Sequence, residues 1–316
     1  ATSASLSLSW ALAPASVFRV LASTTASFGA RASGLRGLWQ KAPQKRKGSF
    51  LVIGDWGWDD QVHGNDILST KCQKLIGDAM LDKSRELGDV KFIVNVGDSF
   101  YPRGVFGKDD PQWEEKWRKI YDPELRSVPW YSVYGNHDYL QDPCACSNGP
   151  EGCAQVNKDI NNLDYFYMPD VNWFIEHPEL DLEVVGMDLN EYEFGWNRQA
   201  PPEIQCPLDC AYTKCQTTCE WNMKYRARDA FNLFHNRSAK SAAKNMVVFS
   251  HYPTDYFWNH SHFLDGLSDR SRHHIAYFSG HRHSTDDTST ISTAPNTNWV
   301  VGGGGGWNCD STKQGF

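Results

Sequence analysis

Five short segments of this 316-residue chain carry side chains that can hold metal ions. They are Gly54-Asp55, Gly97-Asp98-Ser99-Phe100-Tyr101, Gly135-Asn136-His137-Asp138, Ser250-His251 and Gly280-His281-Arg282-His283. The donor set is two carboxylates (Asp55, Asp98), one phenol (Tyr101), one amide (Asn136) and three imidazoles (His251, His281, His283), with no thiolate. Hard oxygens and borderline nitrogens suit Fe, Mn and Zn rather than Cu(I) or an iron–sulfur cluster. Two such ions side by side can clamp a phosphoryl group and activate water between them. One carboxylate must then bridge them, and Asp98 is the expected bridge. A phenol with a pKa near ~10 becomes a ligand only to a strongly polarising cation. Tyr101 therefore marks one ion as ferric.

Each segment alone has a plain explanation. An Asp after a strand is commonly a turn or helix cap, a lone loop histidine is usually solvated, and His-x-His is a weak signal. What turn chemistry does not account for is their recurrence at the same end of successive strands, where α/β sheets gather ligands.

The elements that must position these groups follow from hydrophobic patterning. Phe50–Ile53 reads as a strand ending at Asp55, and residues 91–96 as a buried strand ending at Asp98. Between them, Leu68, Cys72, Leu75, Ile76 and Met80 recur at helical spacing and predict a helix over about 65–87 with one apolar face. A short helix is expected over about 112–121, with Trp113, Trp117, Ile120 and Tyr121 on one side, then a strand over 128–134 ending at Asn136. This is a parallel βαβ pattern. Residues 164–189 read as short antiparallel strands. A helix over about 220–244 buries Ala227, Ala230, Phe231 and Phe234. Strands at 245–249 and 275–278 lead to His251 and to His281 and His283, and a strand at 299–301 meets the run Gly302 to Gly306. That run lacks the Lys-Ser/Thr and the following helix of a P-loop, so close backbone approach near the site is its expected use.

Charge is unevenly spread. The 31 Lys and Arg against 38 Asp and Glu give a net charge of -7. Seven of the basic residues, and no acid, lie within 1–47, so the remainder stands at 24 basic against 38 acidic. A body that acidic is a poor non-specific partner for nucleic acid, and an anionic substrate must be held by local positive charge, which metal ions supply. Residues 1–47 have the composition of a targeting or pro-segment, with a disordered tail as the alternative. The chain opens with Ala1 rather than Met, and part of a leader is expected to be missing. The apolar stretch from Leu6 to Leu21, broken by Pro14 and Arg19, is too short and interrupted to span a membrane. No membrane partner is expected.

All nine cysteines follow residue 71. Four of them, Cys206, Cys210, Cys215 and Cys219, fall too close together for a usual zinc knuckle, so disulfides are the preferred reading over structural zinc. Cys72, on the apolar helix face, is expected to be a buried inert thiol. Asn236-Arg237-Ser238 and Asn259-His260-Ser261 are N-glycosylation acceptors. Together with the cysteines they point to a secreted or vacuole/lysosome-like compartment.

The five segments resemble the motif set of the purple acid phosphatases, within the calcineurin-like metallophosphoesterases. The likeness is greatest to the small, tartrate-resistant type, through Gly54-Asp55-Trp56-Gly57 and Trp130-Tyr131 before Gly135, and runs from about Phe50 to the C-terminus. The resemblance implies an α/β fold: a metallophosphoesterase β-sandwich flanked by helices in four layers, α/β/β/α. It implies a catalytic domain over 48–316, with Gln314-Gly315-Phe316 as the start of a final strand. It implies Fe(III) bound by Asp55, Tyr101 and His283, and a divalent Fe, Zn or Mn bound by Asn136, His251 and His281, with Asp98 bridging. His137 would bind phosphate or protonate the leaving group, helped by a second histidine, His260 or the nearby His262. The implied activity is hydrolysis of small phosphate monoesters by a metal-bound hydroxide at acidic pH. Phosphodiesters or nucleotides are the alternative substrates, and a binding protein without turnover is a third possibility. The oligomeric state is left open.

Overall fold

A computed structural model describes residues 48–57, 67–141, 144, 146, 152–158, 164–191, 215–269, 271–283, 285–286, 298–306 and 314–316. The expected leader over 1–47 and most of the cysteine loop at 196–219 lie outside the described residues.

Two sheets form the frame. The first has strand order β1-β2-β3-β4, comprising Ser49–Ile53, Val90–Asn95, Trp130–Ser132 and Phe166–Tyr167. All its pairings are parallel. The second has order β5-β6-β7-β8-β10-β9: Trp173–His177, Leu182–Gly186, Asn245–Phe249, His274–Ser279, Asn298–Val301 and Thr285–Asp286. Its central strands β6, β7, β8 and β10 run parallel, and β5 and β9 close the edges antiparallel.

The alternation of side chains along each strand makes the layers. Phe50, Val52, Phe92 and Val94 point to a core shared with Val184, Val247, Phe249 and Phe278 of the other sheet. Their neighbours Leu51, Ile53 and Ile93 point the other way, to a core built with α1 (Ile67–Leu87) and the aromatic turn over Trp113–Arg118. On the far side Met246, Val248 and Tyr277 pack with α3 (Gln216–Lys240) and α4 (Ser261–Ser268). Three cores between four layers is the α/β/β/α sandwich expected from the sequence.

Several local expectations need correction. Leu75 is 67% exposed, so the α1 stripe among the described side chains is Cys72, Ile76 and Met80, and the side chain of Leu68 lies outside those described. The position beside the stripe is taken by a buried amide, Gln73, which donates to the Lys116 carbonyl at 2.8 Å. Cys72 is disulfide-bonded rather than a free thiol, as is Cys219. The helix expected over 112–121 is a π-helical turn at Trp113–Arg118, though Trp113, Trp117, Ile120 and Tyr121 are all buried as expected. Phe166–Tyr167 extends the first sheet in parallel rather than forming an antiparallel strand, because Trp130 and Tyr131 offer it an open sheet edge. Phe231 is only half-buried. Two further disulfides, Cys144–Cys215 and Cys146–Cys153, bear out disulfides over zinc for those cysteines. Gln314–Phe316 form no strand; Gly315 N–H bonds the Gly303 carbonyl at 2.9 Å. Among the described residues no helix is long and apolar enough to cross a membrane.

Candidate metal centre

The site lies where parallel strands of both sheets end. β1, β2 and β3 deliver Asp55, Asp98 and Asn136, and β7 and β8 deliver His251, His281 and His283. Four of these residues leave their strands in the left-handed region: Asp55 at φ 56°, Asp98 at 51°, His281 at 70° and His283 at 48°. For non-glycine residues this costs of order 1–3 kcal/mol each and persists only where the surroundings enforce it. Here the enforcement includes the glycine run. A Cβ on Gly302 would sit 2.7 Å from Asp55 Oδ2, so backbone approaches the carboxylate directly. Behind Asp55, Trp56 packs its ring on Phe100, Trp117 and Tyr121 at 4.9, 5.5 and 5.5 Å and donates to Asn95 Oδ1 at 3.0 Å.

The seven expected ligands come together. Tyr101 brings its phenol oxygen 2.9 Å from Asp55 Oδ1 and 2.8 Å from Asp98 Oδ2. His283 Nε2 lies 3.7 Å from Asp55 Oδ1, and Asp55, Asp98 and His283 offer ligand atoms within 4.8 Å of one another. The second group is as tight. Asn136 Oδ1 is 3.1 Å from both His251 Nε2 and His281 Nδ1, and those two nitrogens are 3.2 Å apart. His251 Nε2 is also 3.3 Å from Asp98 Oδ2. Asp98 Oδ2 thus faces both groups.

Hydrogen bonding alone does not satisfy this cluster. A phenol has one proton, yet Tyr101 faces two carboxylate oxygens. The Val96 carbonyl, 2.9 Å from His251 Nδ1, can only accept, so Nδ1 carries the proton and a neutral ring turns its Nε2 lone pair toward Asp98, Asn136 and His281. Acceptors facing acceptors in a buried site call for cations between them. Without metal, protons must do that work. Burial pushes Asp55 well up, with the Asp98 charge adding to it. Burial and both carboxylates push Tyr101 well up. Burial alone would lower His251, but the Asp98 and Asp55 carboxylates hold it at about 9. Burial lowers His281 strongly and His283 to about 4, so both are neutral lone-pair donors at ordinary pH. The residues present fit a metal centre.

His137 stands beside this cluster. Its backbone N–H donates to Asp98 Oδ1 at 2.9 Å, its ring packs on Tyr101 at 4.6 Å, and its Nδ1 donates to the Pro102 carbonyl at 2.7 Å. His260 and His262 turn toward α3: His260 stacks on Phe231 at 4.7 Å and His262 packs on His235 at 4.0 Å. Burial lowers His260.

Three supporting residues had no assigned role in the sequence reading. Asp138 accepts from Ser99 N–H, Gly135 N–H and Gln155 Nε2 at 2.9, 2.9 and 2.7 Å, stitching the Asp98 loop to the Asn136 loop. Asn95 donates to Ser99 and Ser132 at 2.8 and 3.1 Å. The third is Gln155 itself. The available signals were a polar residue inside the apolar run ending at Val96 and the last position of Gly135-Asn136-His137-Asp138.

Comparison with known proteins places this geometry. The calcineurin-like phosphoesterase family model matches residues 48–285. Purple acid phosphatase 17 of Arabidopsis thaliana is 39% identical over 102 residues, 32% of this chain and 27% of that protein. Tartrate-resistant acid phosphatase type 5 of Sus scrofa is 35% identical over 92 residues, 29% of this chain and 26% of that protein. The aligned part spans about a quarter of the length of these relatives. A solved structure described as "GAP50 the anchor in the inner membrane complex of Plasmodium" superposes with a TM-score of 0.49 at 19% identity, over 81% of this chain and 71% of that one.

Proposed function

The chain belongs to the calcineurin-like phosphoesterase family, and from that premise we propose that it is a binuclear acid phosphatase acting on small phosphate monoesters. The observation that carries this reading is Asp98 Oδ2, which has the Tyr101 phenol at 2.8 Å on one side and His251 Nε2 at 3.3 Å on the other. Asp55, Tyr101 and His283 would hold Fe(III). Asn136, His251 and His281 would hold a divalent Fe, Zn or Mn, and Asp98 would bridge. When bound, the pair supplies an activated water and the positive charge that fixes a phosphoryl oxygen.

The chain's own residues do the rest. The Val96 carbonyl fixes the His251 tautomer, so the ring presents Nε2 to the site. Asn136 contributes an uncharged oxygen, which keeps the second position divalent in character. His137 donates Nδ1–H to Pro102 and therefore has Nε2 as the atom that exchanges a proton. A protonated Nε2 would donate to the leaving alkoxide, which favours acidic pH. Of the expected acids, His137 is the stronger candidate, because its backbone is tied to Asp98, whereas burial against Phe231 disfavours the charged form of His260. The disulfides support a secreted or vacuole-like setting.

The test is metal content, colour and turnover of the purified protein. Two metals per chain, one of them iron, with faster hydrolysis of p-nitrophenyl phosphate than of bis(p-nitrophenyl) phosphate at pH 5, is the expected result. Preference for the diester, or full metal occupancy without iron, overturns the monoester or ferric part respectively.

A further inference from the structure

We propose that the Cys146–Cys153 disulfide is a positioning device for Asn136 and His137, acting through Gln155 on Asp138 and through Arg226 on Tyr139. This inference rests on the metallohydrolase reading of the site. Asn136 and His137 belong to α2, Asn136–Tyr139, a helix of four residues. One turn has no stability of its own, since nucleation costs more than a single turn returns. Its orientation is therefore set by contacts outside it: the His137 bonds to Asp98 and Pro102, and the grips on its other two residues, Asp138 and Tyr139.

Each is gripped from one end of the disulfide loop. Beyond Cys153, Val156 N–H bonds the Cys153 carbonyl at 3.1 Å in a tight turn. That turn carries Gln155, which is fully buried. Gln155 donates from Nε2 to Asp138 Oδ1 at 2.7 Å and from its backbone to the Tyr134 hydroxyl at 2.9 Å. At the other end, the Cys146 carbonyl accepts from Arg226 Nη2. The same guanidinium donates from Nη1 to the Tyr139 hydroxyl at 2.6 Å, and that hydroxyl donates in turn to Asp188. Asp188 is fully buried and lies two residues past β6, in the opposite sheet. The seven-residue separation of Cys146 and Cys153 is thus closed covalently between two grips on consecutive residues of one helical turn.

The Cys146–Cys153 bond keeps the two grips in register. Opening it unties the Cys153 turn from Cys146, and Gln155 and Arg226 no longer hold Asp138 and Tyr139 in one register. Catalytic groups displaced by about 1 Å can lose on the order of 10²-fold in rate. Gln155 and Arg226 act here as positioning residues, and neither is required to meet substrate.

The experiment compares wild type, Gln155→Met and the Cys146→Ser/Cys153→Ser double variant. It reads steady-state hydrolysis of p-nitrophenyl phosphate and calorimetric titration of the metal-free protein with zinc. Both variants are expected to lose at least tenfold in kcat with KM within about threefold, and to weaken one zinc-binding step at least tenfold while sparing the other. A merely structural role lowers melting temperature but leaves kcat per folded molecule and both zinc affinities intact, and that result overturns the proposal. Should either variant not fold, Arg226→Lys is judged by the same two readouts. Failure of the phosphatase reading is distinguishable: wild type would then turn over no phosphoester, and the zinc titration alone decides the positioning role.

Discussion

Tyr101 holds its phenol oxygen 2.8 Å from Oδ2 of Asp98, three residues before it in the chain. With Asp55 Oδ1 at 2.9 Å on the other side, the hydroxyl stands between the two carboxylates. Tyr101→Phe removes that oxygen and little else, since the ring keeps its packing on His137 at 4.6 Å. The variant is expected to fold, at a cost of about 1–3 kcal/mol for the buried partners it leaves. On the proposed ferric assignment, it is expected to lack a violet phenolate-to-iron absorption that the wild type shows, while retaining the proposed divalent site. Absorbance spectra and metal analysis on the same samples check this; an unchanged band removes Tyr101 from the ferric site.

Gly135 approaches Asp98 so closely that a Cβ there would overlap both the carboxylate and the backbone nitrogen of Asp98. Gly135→Ala must push Asp98 aside, because neither atom belongs to a flexible end. Loss of at least one metal per chain and of nearly all hydrolysis is expected, with most of the sandwich retained. Plasma emission metal counts and circular dichroism measure the two halves of that statement.

The metal-free protein should release a proton when it binds metal. In that state His251 is held at about 9, above the unfolded histidine value of ~6.5. Its folded pKa is raised, so its contribution to stability is present below pH ~6.5 and is lost as pH rises toward 9. Between those values the folded protein carries a proton that metal must displace. Zinc calorimetry at pH 7.5 in buffers of different ionisation enthalpy is expected to report proton release of which His251 supplies about one, with Asp55 and Tyr101, both pushed up by burial, as the further sources. In His251→Gln the count should fall by about one; an unchanged count assigns that proton elsewhere.

Asp138 is buried, and burial together with the Asp98 charge raises it to about 6. Its carboxylate accepts from four donors, Ser99, Phe100 and Gly135 N–H on two loops and Gln155 Nε2 from the Cys153 turn. Asp138→Asn turns an amide N–H₂ toward those donors and leaves at least one unpaired. A loss of roughly 2–4 kcal/mol in denaturant unfolding of the metal-free protein is expected. A loss below about 0.5 kcal/mol would show that the loops are held together by other contacts.

The strand ends that carry the candidate ligands were legible because a buried strand is a local signal, and a glycine marks its end before Asp55, Asp98, Asn136 and His281. The uninterrupted apolar run Phe50-Leu51-Val52-Ile53 identifies the strand, and the residue that follows its end can be counted off. The parallel placement of Phe166–Tyr167 was not legible, since two residues carry no direction and only the open edge of β3 decides it. Leu75 shows the limit of periodicity: it fits the α1 stripe, yet Gln73 takes the inward position through a bond to Lys116. The Tyr139–Arg226–Asp188 cluster joins residues up to 87 positions apart, and no pattern within one element announces it. Cys72 looked inert because its helix face is apolar, and an apolar face does not distinguish a thiol from half a disulfide.

The two sheets meet around Val247, Phe249 and Phe92, but at one end they also share a single set of candidate ligands, Asp55, Asp98 and Asn136 from one and His251, His281 and His283 from the other. Bound metal would therefore rivet the two halves of the sandwich along that rim. A chain that has folded but not yet captured its ions is a book with an unfastened clasp, open first at the edge where the left-handed aspartates and histidines sit. Its lifetime in the presence of proteases becomes a gauge of metal supply, and limited digestion of metal-free against zinc-loaded protein, with cuts mapped to 97–104 and 281–283, reads that gauge directly.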